Sequence, residues 1–175
     1  MTEDTTQPLS DTQPSGDTQP SGDTAVLRGR AGARLAAVQA LYQLDMEPAA
    51  PETVIGQFTS FRFTQPEKFH VLKPDTTLFR QIVMGVTSNR DQLDGKIQGV
   101  LSQGWSIDRL ETVIRAILRA ALYELTEHPE TPKVVVINEY VNLTKAFYSG
   151  QEPGFVNASL DRLSNQLNSG EHTPS

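Results

Sequence analysis

Three arginines are the side chains of this sequence whose type and spacing point most clearly to a chemistry. Arg28, Arg30 and Arg34 are the only basic residues among the first 61, and they lie within seven positions at a predicted helix start. Acidic residues are usually preferred there, because the helix macrodipole is positive at its N-terminus. Guanidinium groups on a segment loosened by Gly29 and Gly32 suit RNA phosphates and bases. A solvated basic stretch, or one bound to the acidic tail of its own chain, explains the same residues.

Phe155 is the second candidate, because it begins the last predicted helix directly after a turn at residues 150–154. A phenylalanine at a helix start more often packs against its own helix and the core. The alternative is an exposed ring on which an RNA base stacks. The residue types alone leave both interpretations open.

The sequence contains no recognisable catalytic centre. There is no cysteine, and none of the three histidines has a partner at metal-ligand spacing. The phosphate-binding loop, dinucleotide-binding and nucleophile-elbow motifs do not occur. The carboxylate pairs Asp91/Asp94 and Glu124/Glu127 have helical spacing and are interpreted as solvated surface. We therefore expect no enzymatic activity, no metal and no cofactor.

The charge of the chain is unevenly distributed. Its formal net charge is −6, but residues 1–24 carry five acids and no base, and residues 25–169 carry 15 of each sign. Any RNA contact must therefore come from a local patch rather than from the overall field. Residues 1–24 contain the hexapeptide DTQPSG twice in tandem. This composition predicts a disordered acidic extension, followed by one helical domain at 25–169 and a disordered end at 170–175.

The same composition bears on location. No apolar stretch approaches the roughly 18 residues of a transmembrane helix, and the N-terminus lacks the pattern of a signal peptide. Together with the lack of cysteine, this predicts a cytoplasmic protein.

Hydrophobic spacing predicts an all-α fold of about seven helices and no sheet. Leu35, Val38 and Tyr42 define the apolar stripe of the first helix, and Leu41 widens it. Residues 110–125 are apolar around more than half the circumference, which predicts a central helix. Residues 134–137 are a β-branched run that in isolation resembles a buried strand. Their apolar spacing continues to Phe147 with helical periodicity, which favours a helix.

Several segments carry a family resemblance. The most specific are residues 136–147 (VINEYVNLTKAF) and 154–161 (GFVNASLD), which follow each other closely. Residues 34–43 (RLAAVQALYQ), 79–86 (FRQIVMGV) and 117–125 (ILRAALYEL) add to them. Together these segments resemble the NusB family of transcription antitermination factors, over about residues 28–165.

The resemblance implies a compact seven-helix bundle in two helical subdomains, without catalysis. It further implies a heterodimer with NusE, a ribosomal small-subunit protein, that binds the boxA element of nascent transcripts, especially ribosomal RNA. This complex acts on transcribing RNA polymerase with other Nus factors. The RNA contacts implied for this chain are Arg28, Arg30, Arg34 and Phe155. The alternative is a helical protein–protein adaptor or homodimer without sequence-selective RNA binding.

Overall fold

The computed structural model describes residues 25–170, whose regular elements are helices apart from one short sheet. The predictions for residues 1–24 and 171–175 lie outside the described residues. Among residues 25–170, no helix is both long enough and apolar enough to cross a membrane. The elements are β1 (Leu27–Arg28), α1 (Gly29–Met46), α2 (Pro51–Ser60), α3 (Pro66–Phe69), β2 (Val71–Pro74), α4 (Thr76–Ser88), α5 (Arg90–Val100), α6 (Thr112–Glu127), α7 (Lys133–Phe147) and α8 (Glu152–Gly170).

The all-α prediction is confirmed, with one correction. Seven helices have ten residues or more, and the eighth, α3, is a single turn of four residues. The expectation of no sheet is wrong, because β1 and β2 pair in parallel with Leu27 opposite Val71 and Arg28 opposite Leu72. A two-residue strand is too short to leave a periodic pattern in the sequence.

Helix α6 is central, as predicted. It packs against α1 and α4 on one side and against α5, α7 and α8 on the other. Its buried residues lie all around its circumference, which is typical of a helix enclosed by others. The first four helices and the last four therefore form two groups that meet at α6.

Two helix faces test the hydrophobic patterns in more detail. Residues 133–147 are one helix, so the helical interpretation of the β-branched run is confirmed. In α1, Val38 and Leu41 are buried, but Tyr42 is 40% exposed. The burial of Leu41 agrees with the predicted stripe, whereas Tyr42 lies at its exposed edge.

A buried ion network fixes α6 against its neighbours. Arg119 is 5% exposed, and it donates to both carboxylate oxygens of Asp94 at 2.7 and 2.9 Å and to Asp45 at 2.9 Å. Burial disfavours the charged arginine, but the two carboxylates outweigh it and raise the pKa of Arg119. The interpretation of Asp94 as solvated surface is thus wrong. The network joins α1, α5 and α6.

Gly85 provides a test of the contact between α4 and α6. A Cβ at this position would lie 2.0 Å from Cε2 of Tyr123. Alanine in a helix normally gains about 0.5–1 kcal/mol over glycine, but here the ring must move. We expect Gly85→Ala to lower the free energy of unfolding by about 1–3 kcal/mol, as overpacking does, in urea denaturation.

Gly95→Ala is the matched control, because Gly95 lies within α5 and a Cβ there meets nothing within 4 Å. This variant should be stabilised by about 0.5–1 kcal/mol. Equal stabilisation of both variants would show that the Tyr123 ring moves aside without cost.

Candidate nucleic-acid interface

The β1–β2 sheet fixes the chain just before α1. The Leu27 N–H donates to the His70 carbonyl at 2.9 Å, and the Asp75 N–H donates to the Gly29 carbonyl at 2.9 Å. Gly29 has a φ of +53°, which only glycine adopts readily. A Cβ at Gly32 would lie 2.9 Å from the Leu27 carbonyl oxygen. The two glycines therefore serve a tight, packed turn and not the loosened segment predicted from the sequence.

Arg28 and Arg30 are exposed at this turn. The side chain of Arg30 is 45% exposed, and its Nη2 lies 3.7 Å from Oε1 of Glu124. The same nitrogen donates to the hydroxyl of Thr131 at 3.0 Å. Arg30 is thus held in place while part of its guanidinium faces solvent. Together with the exposed Arg28 two positions before it, this guanidinium can contact the phosphates of an RNA strand.

Arg34 differs from the other two arginines, because it is 4% exposed. Its Nε donates to both carboxylate oxygens of Glu124, at 3.1 and 3.0 Å, and its Nη2 donates to Oε1 at 2.5 Å. Its Nη1 lies 3.5 Å from Glu139. The structure therefore does not support Arg34 as a direct RNA contact and instead gives it a positioning role at the start of α1.

Glu124 is the centre of this cluster and is fully buried, contrary to its interpretation as a solvated carboxylate. Its Oε2 also accepts a hydrogen bond from the hydroxyl of Tyr140 at 2.9 Å. Burial opposes the charge of Arg34, but the hydrogen bond and the charge of Glu124 outweigh it and raise the pKa of Arg34. Burial, reinforced by the charge of Glu124, holds the pKa of Tyr140 well above its usual range.

Sequence reasoning missed Glu124 and Tyr140 as parts of the site. A signal was present, because Glu124 follows Ile117 by seven positions and Ala121 by three. That spacing puts Glu124 on the apolar face of α6. A carboxylate on a buried face needs a cation, and Arg34 lies on the apolar face of α1, four positions before Val38.

Phe155 lies at the other end of α6. It is 37% exposed and lines a groove with Leu110 and Ile114. Ile114 precedes Glu124 by ten positions, which is about 15 Å along a helix axis. The structure therefore brings Arg28 and Arg30 together but leaves Phe155 separate from them, so that one ligand reaches both only if it is extended.

Comparison with known proteins gives consistent matches over this helical region. The NusB family model matches residues 31–165. The transcription antitermination protein NusB of Gluconobacter oxydans is 43% identical over 147 residues, which are 82% of this chain and 91% of that protein. The NusB of Caulobacter vibrioides is 41% identical over 138 residues, 78% and 93% of the two chains.

Solved structures match in the same region. NusB of T. maritima superposes with a TM-score of 0.64 at 27% identity, covering 78% of this chain and 91% of that one. A crystal structure of antitermination factors NusB and NusE in complex with dsRNA gives a TM-score of 0.64 at 25% identity, covering 78% and 96%.

The buried ion pair is tested by Glu124→Gln. Glutamine keeps the shape of the side chain but leaves the buried Arg34 cation with only the partly exposed Glu139, 3.5 Å away, as a counter-charge; breaking a buried pair costs about 3–5 kcal/mol. We expect a loss of this size in the free energy of unfolding in urea at neutral pH. Glu127→Gln, at an exposed position of the same helix, should change it by less than about 0.5 kcal/mol. Equal unfolding midpoints for the two variants would contradict the structural role of Glu124.

Tyr140 makes stability depend on pH in the alkaline range. The unfolded chain releases the phenol proton near pH 10, whereas the raised pKa of Tyr140 keeps this proton bound in the folded protein. The folded state then binds more protons, so the free energy of unfolding falls as pH rises above about 10.

Tyr140→Phe should flatten this fall between pH 9 and 11, and it should cost about 1–3 kcal/mol at neutral pH by removing a buried hydrogen bond. Tyr42→Phe, at an exposed ring, is the control and should leave the profile unchanged. Identical profiles for Tyr140→Phe and the unaltered protein would refute the assignment.

Proposed function

The chain belongs to the NusB family, and from that membership we propose that it is a transcription antitermination factor that binds RNA together with NusE. It is not an enzyme. The RNA it takes is the boxA element of nascent transcripts, especially ribosomal RNA. The resulting complex acts on transcribing RNA polymerase with other Nus factors. Its place of action is the bacterial cytoplasm, where these transcripts are made.

The exposed pair Arg28 and Arg30, of which Arg30 is held by Thr131 and Glu124, is the observation that carries the RNA-binding part of this proposal. Both lie at the β1–α1 junction, whose backbone is held by the parallel sheet. Arg34 does not contact RNA in this proposal. Its buried pair with Glu124 fixes the first turns of α1 and so the position of Arg28 and Arg30. Since the Arg30 side chain and the backbone of both residues are held, less conformational entropy is lost when phosphates bind.

Phe155 extends the interface to the other end of α6. Its ring is more than one third exposed, which suits stacking by an unpaired base. With the arginines about 15 Å away along α6, the ligand is a single strand of several nucleotides. Phosphate contacts at one end hold the strand, while contacts to bases at the other end read it.

The two proteins together are expected to bind better than this chain alone. Two exposed arginines neutralise few phosphates, and the charge of residues 25–169 is balanced, so the affinity of the isolated chain for RNA is low. A NusB–NusE complex with dsRNA is known for a structural relative, which supports NusE as the source of the missing contacts.

The proposal is tested by titrating a fluorescently labelled boxA RNA with the protein, with and without NusE, beside a scrambled RNA. Selective binding that NusE strengthens is the expected result. NusE binding without RNA selectivity would favour an adaptor or homodimer instead.

The arginine pair is tested in the same assay at several salt concentrations. Each phosphate contact to a single strand contributes about 0.7 to the slope of log K against log salt. Arg28→Ala with Arg30→Ala should therefore reduce the slope by about 1.4 and weaken binding most at low salt. The matched control replaces Arg80 and Lys96, on α4 and α5, by alanine. A control pair that lowers the slope equally would show that the arginine pair has no special role.

A further inference from the structure

Strand β2 contains one residue more than the part of the chain it pairs with. Arg28 is the register partner of Leu72. The next residue, Gly29, is bridged to Pro74 and not to Lys73. Lys73 therefore has no counterpart opposite it, which defines a β-bulge. Bulges change the direction of a side chain and are frequent next to functional sites, and the lysine at this bulge is exposed.

The backbone of Lys73 has an unusual conformation. Its φ is +46°, in the left-handed region that glycine adopts readily and other residues adopt at a cost. His70, just before β2, has a φ of +58°, and no other non-glycine residue among 25–170 has a positive φ. His70 lines a cavity with Leu27 and Arg34, so packing accounts for a side chain there. Lys73 is exposed, so burial in the core does not offset the cost of its conformation.

The ammonium group of Lys73 is available to an external anion. Within residues 25–170 it makes no ion pair and no hydrogen bond. The nearest acid along the chain, Asp75, already serves as the N-cap of α4, where its Oδ1 accepts from the Leu78 N–H at 3.0 Å. The positive charge of Lys73 is therefore not neutralised by a carboxylate of the described residues.

The register places Lys73 beside the arginines of the proposed interface. Neighbouring strands lie about 4.8 Å apart, and Lys73 directly follows the residue that is paired with Arg28. The backbone on the far side of the bulge is also held, because the Asp75 N–H donates to the Gly29 carbonyl at 2.9 Å. One cation from β1 and one from β2 therefore lie next to each other on a fixed backbone.

We propose that Lys73 is a third phosphate contact, so that an RNA strand bound by Arg28 and Arg30 continues across the β1–β2 sheet. A lysine ammonium is a compact point charge that pairs with phosphate without the fixed planar geometry of a guanidinium. A lysine that served only solubility could occupy any exposed position without the cost of a positive φ. The inference rests on the proposed function, because it adds a residue to the same RNA-binding surface.

The test is Lys73→Gly, which removes the charge and also suits the backbone. The full-length protein with NusE is titrated with labelled boxA RNA between 50 mM and 1 M salt. We expect the slope of log K against log salt to fall by about 0.7, the contribution of one single-strand phosphate. This corresponds to about eightfold weaker binding at 50 mM salt, a difference that vanishes near 1 M. The thermal unfolding midpoint should not fall, since glycine adopts this φ without strain.

Three further variants separate the charge from the backbone. Lys73→Arg keeps the charge and should keep the slope. His70→Gly introduces glycine at the other positive φ beside β2 and should leave the slope unchanged. Lys96→Ala removes the same charge from α5 and should also leave it unchanged. The affinity for NusE, measured without RNA, should be the same for Lys73→Gly and the unaltered protein.

The outcomes distinguish this inference from the proposed function. An unchanged slope for Lys73→Gly, while Arg28→Ala with Arg30→Ala lowers it, would overturn only the role of Lys73. An equal fall for Lys96→Ala would overturn that role as well, because the effect would then be one of net charge. Weaker NusE binding by Lys73→Gly would show that Lys73 contacts protein, which also overturns the inference. A lack of RNA binding by the unaltered complex would overturn both.

Discussion

The fold and the proposed RNA-binding surface both depend on the buried carboxylate of Glu124. It receives Arg34 from α1 and the hydroxyl of Tyr140 from α7, and Arg30 lies 3.7 Å away. Removing one member of such a cluster leaves an uncompensated charge or acceptor inside the core, and this penalty exceeds what the intact pair contributes. The helices α1, α6 and α7 must therefore pack in one relative position, and that position determines where the exposed arginines lie.

The local placement of cations matters here because the described part of the chain has no net positive charge. With 15 acids and 15 bases in residues 25–169, attraction of RNA over long distances is weak, and salt screens charges beyond about 8 Å. The proposed RNA binding therefore depends on short-range contact by guanidinium groups at a fixed backbone position. The parallel pairing of β1 with β2 provides that position, so the smallest element of the fold has a direct bearing on function.

Much of this architecture could be predicted from the sequence, because apolar residues recur about every 3.6 positions along a long amphipathic helix. The central position of α6 and the helical nature of residues 133–147 followed from it. The burial of Glu124 and Arg34 has a signal in their positions on apolar helix faces, but their pairing has none, because the partners are 90 positions apart. The exposure of Phe155 has no such signal either, since it is decided by how the connections pack and not by helical periodicity.

In the proposed interface, different kinds of RNA contact lie near the two ends of α6, and electrostatics explains the separation. At the C-terminal end of α6, Arg34 neutralises the carboxylate of Glu124, so Arg30 keeps part of its guanidinium group available for a phosphate. Phe155 lies near the N-terminal end of α6, where its uncharged ring can stack on a base without competing with the arginines. The 16 residues of α6 separate the two ends by about 24 Å. Phosphate binding and base stacking are thus assigned to different elements that pack against opposite ends of one central helix.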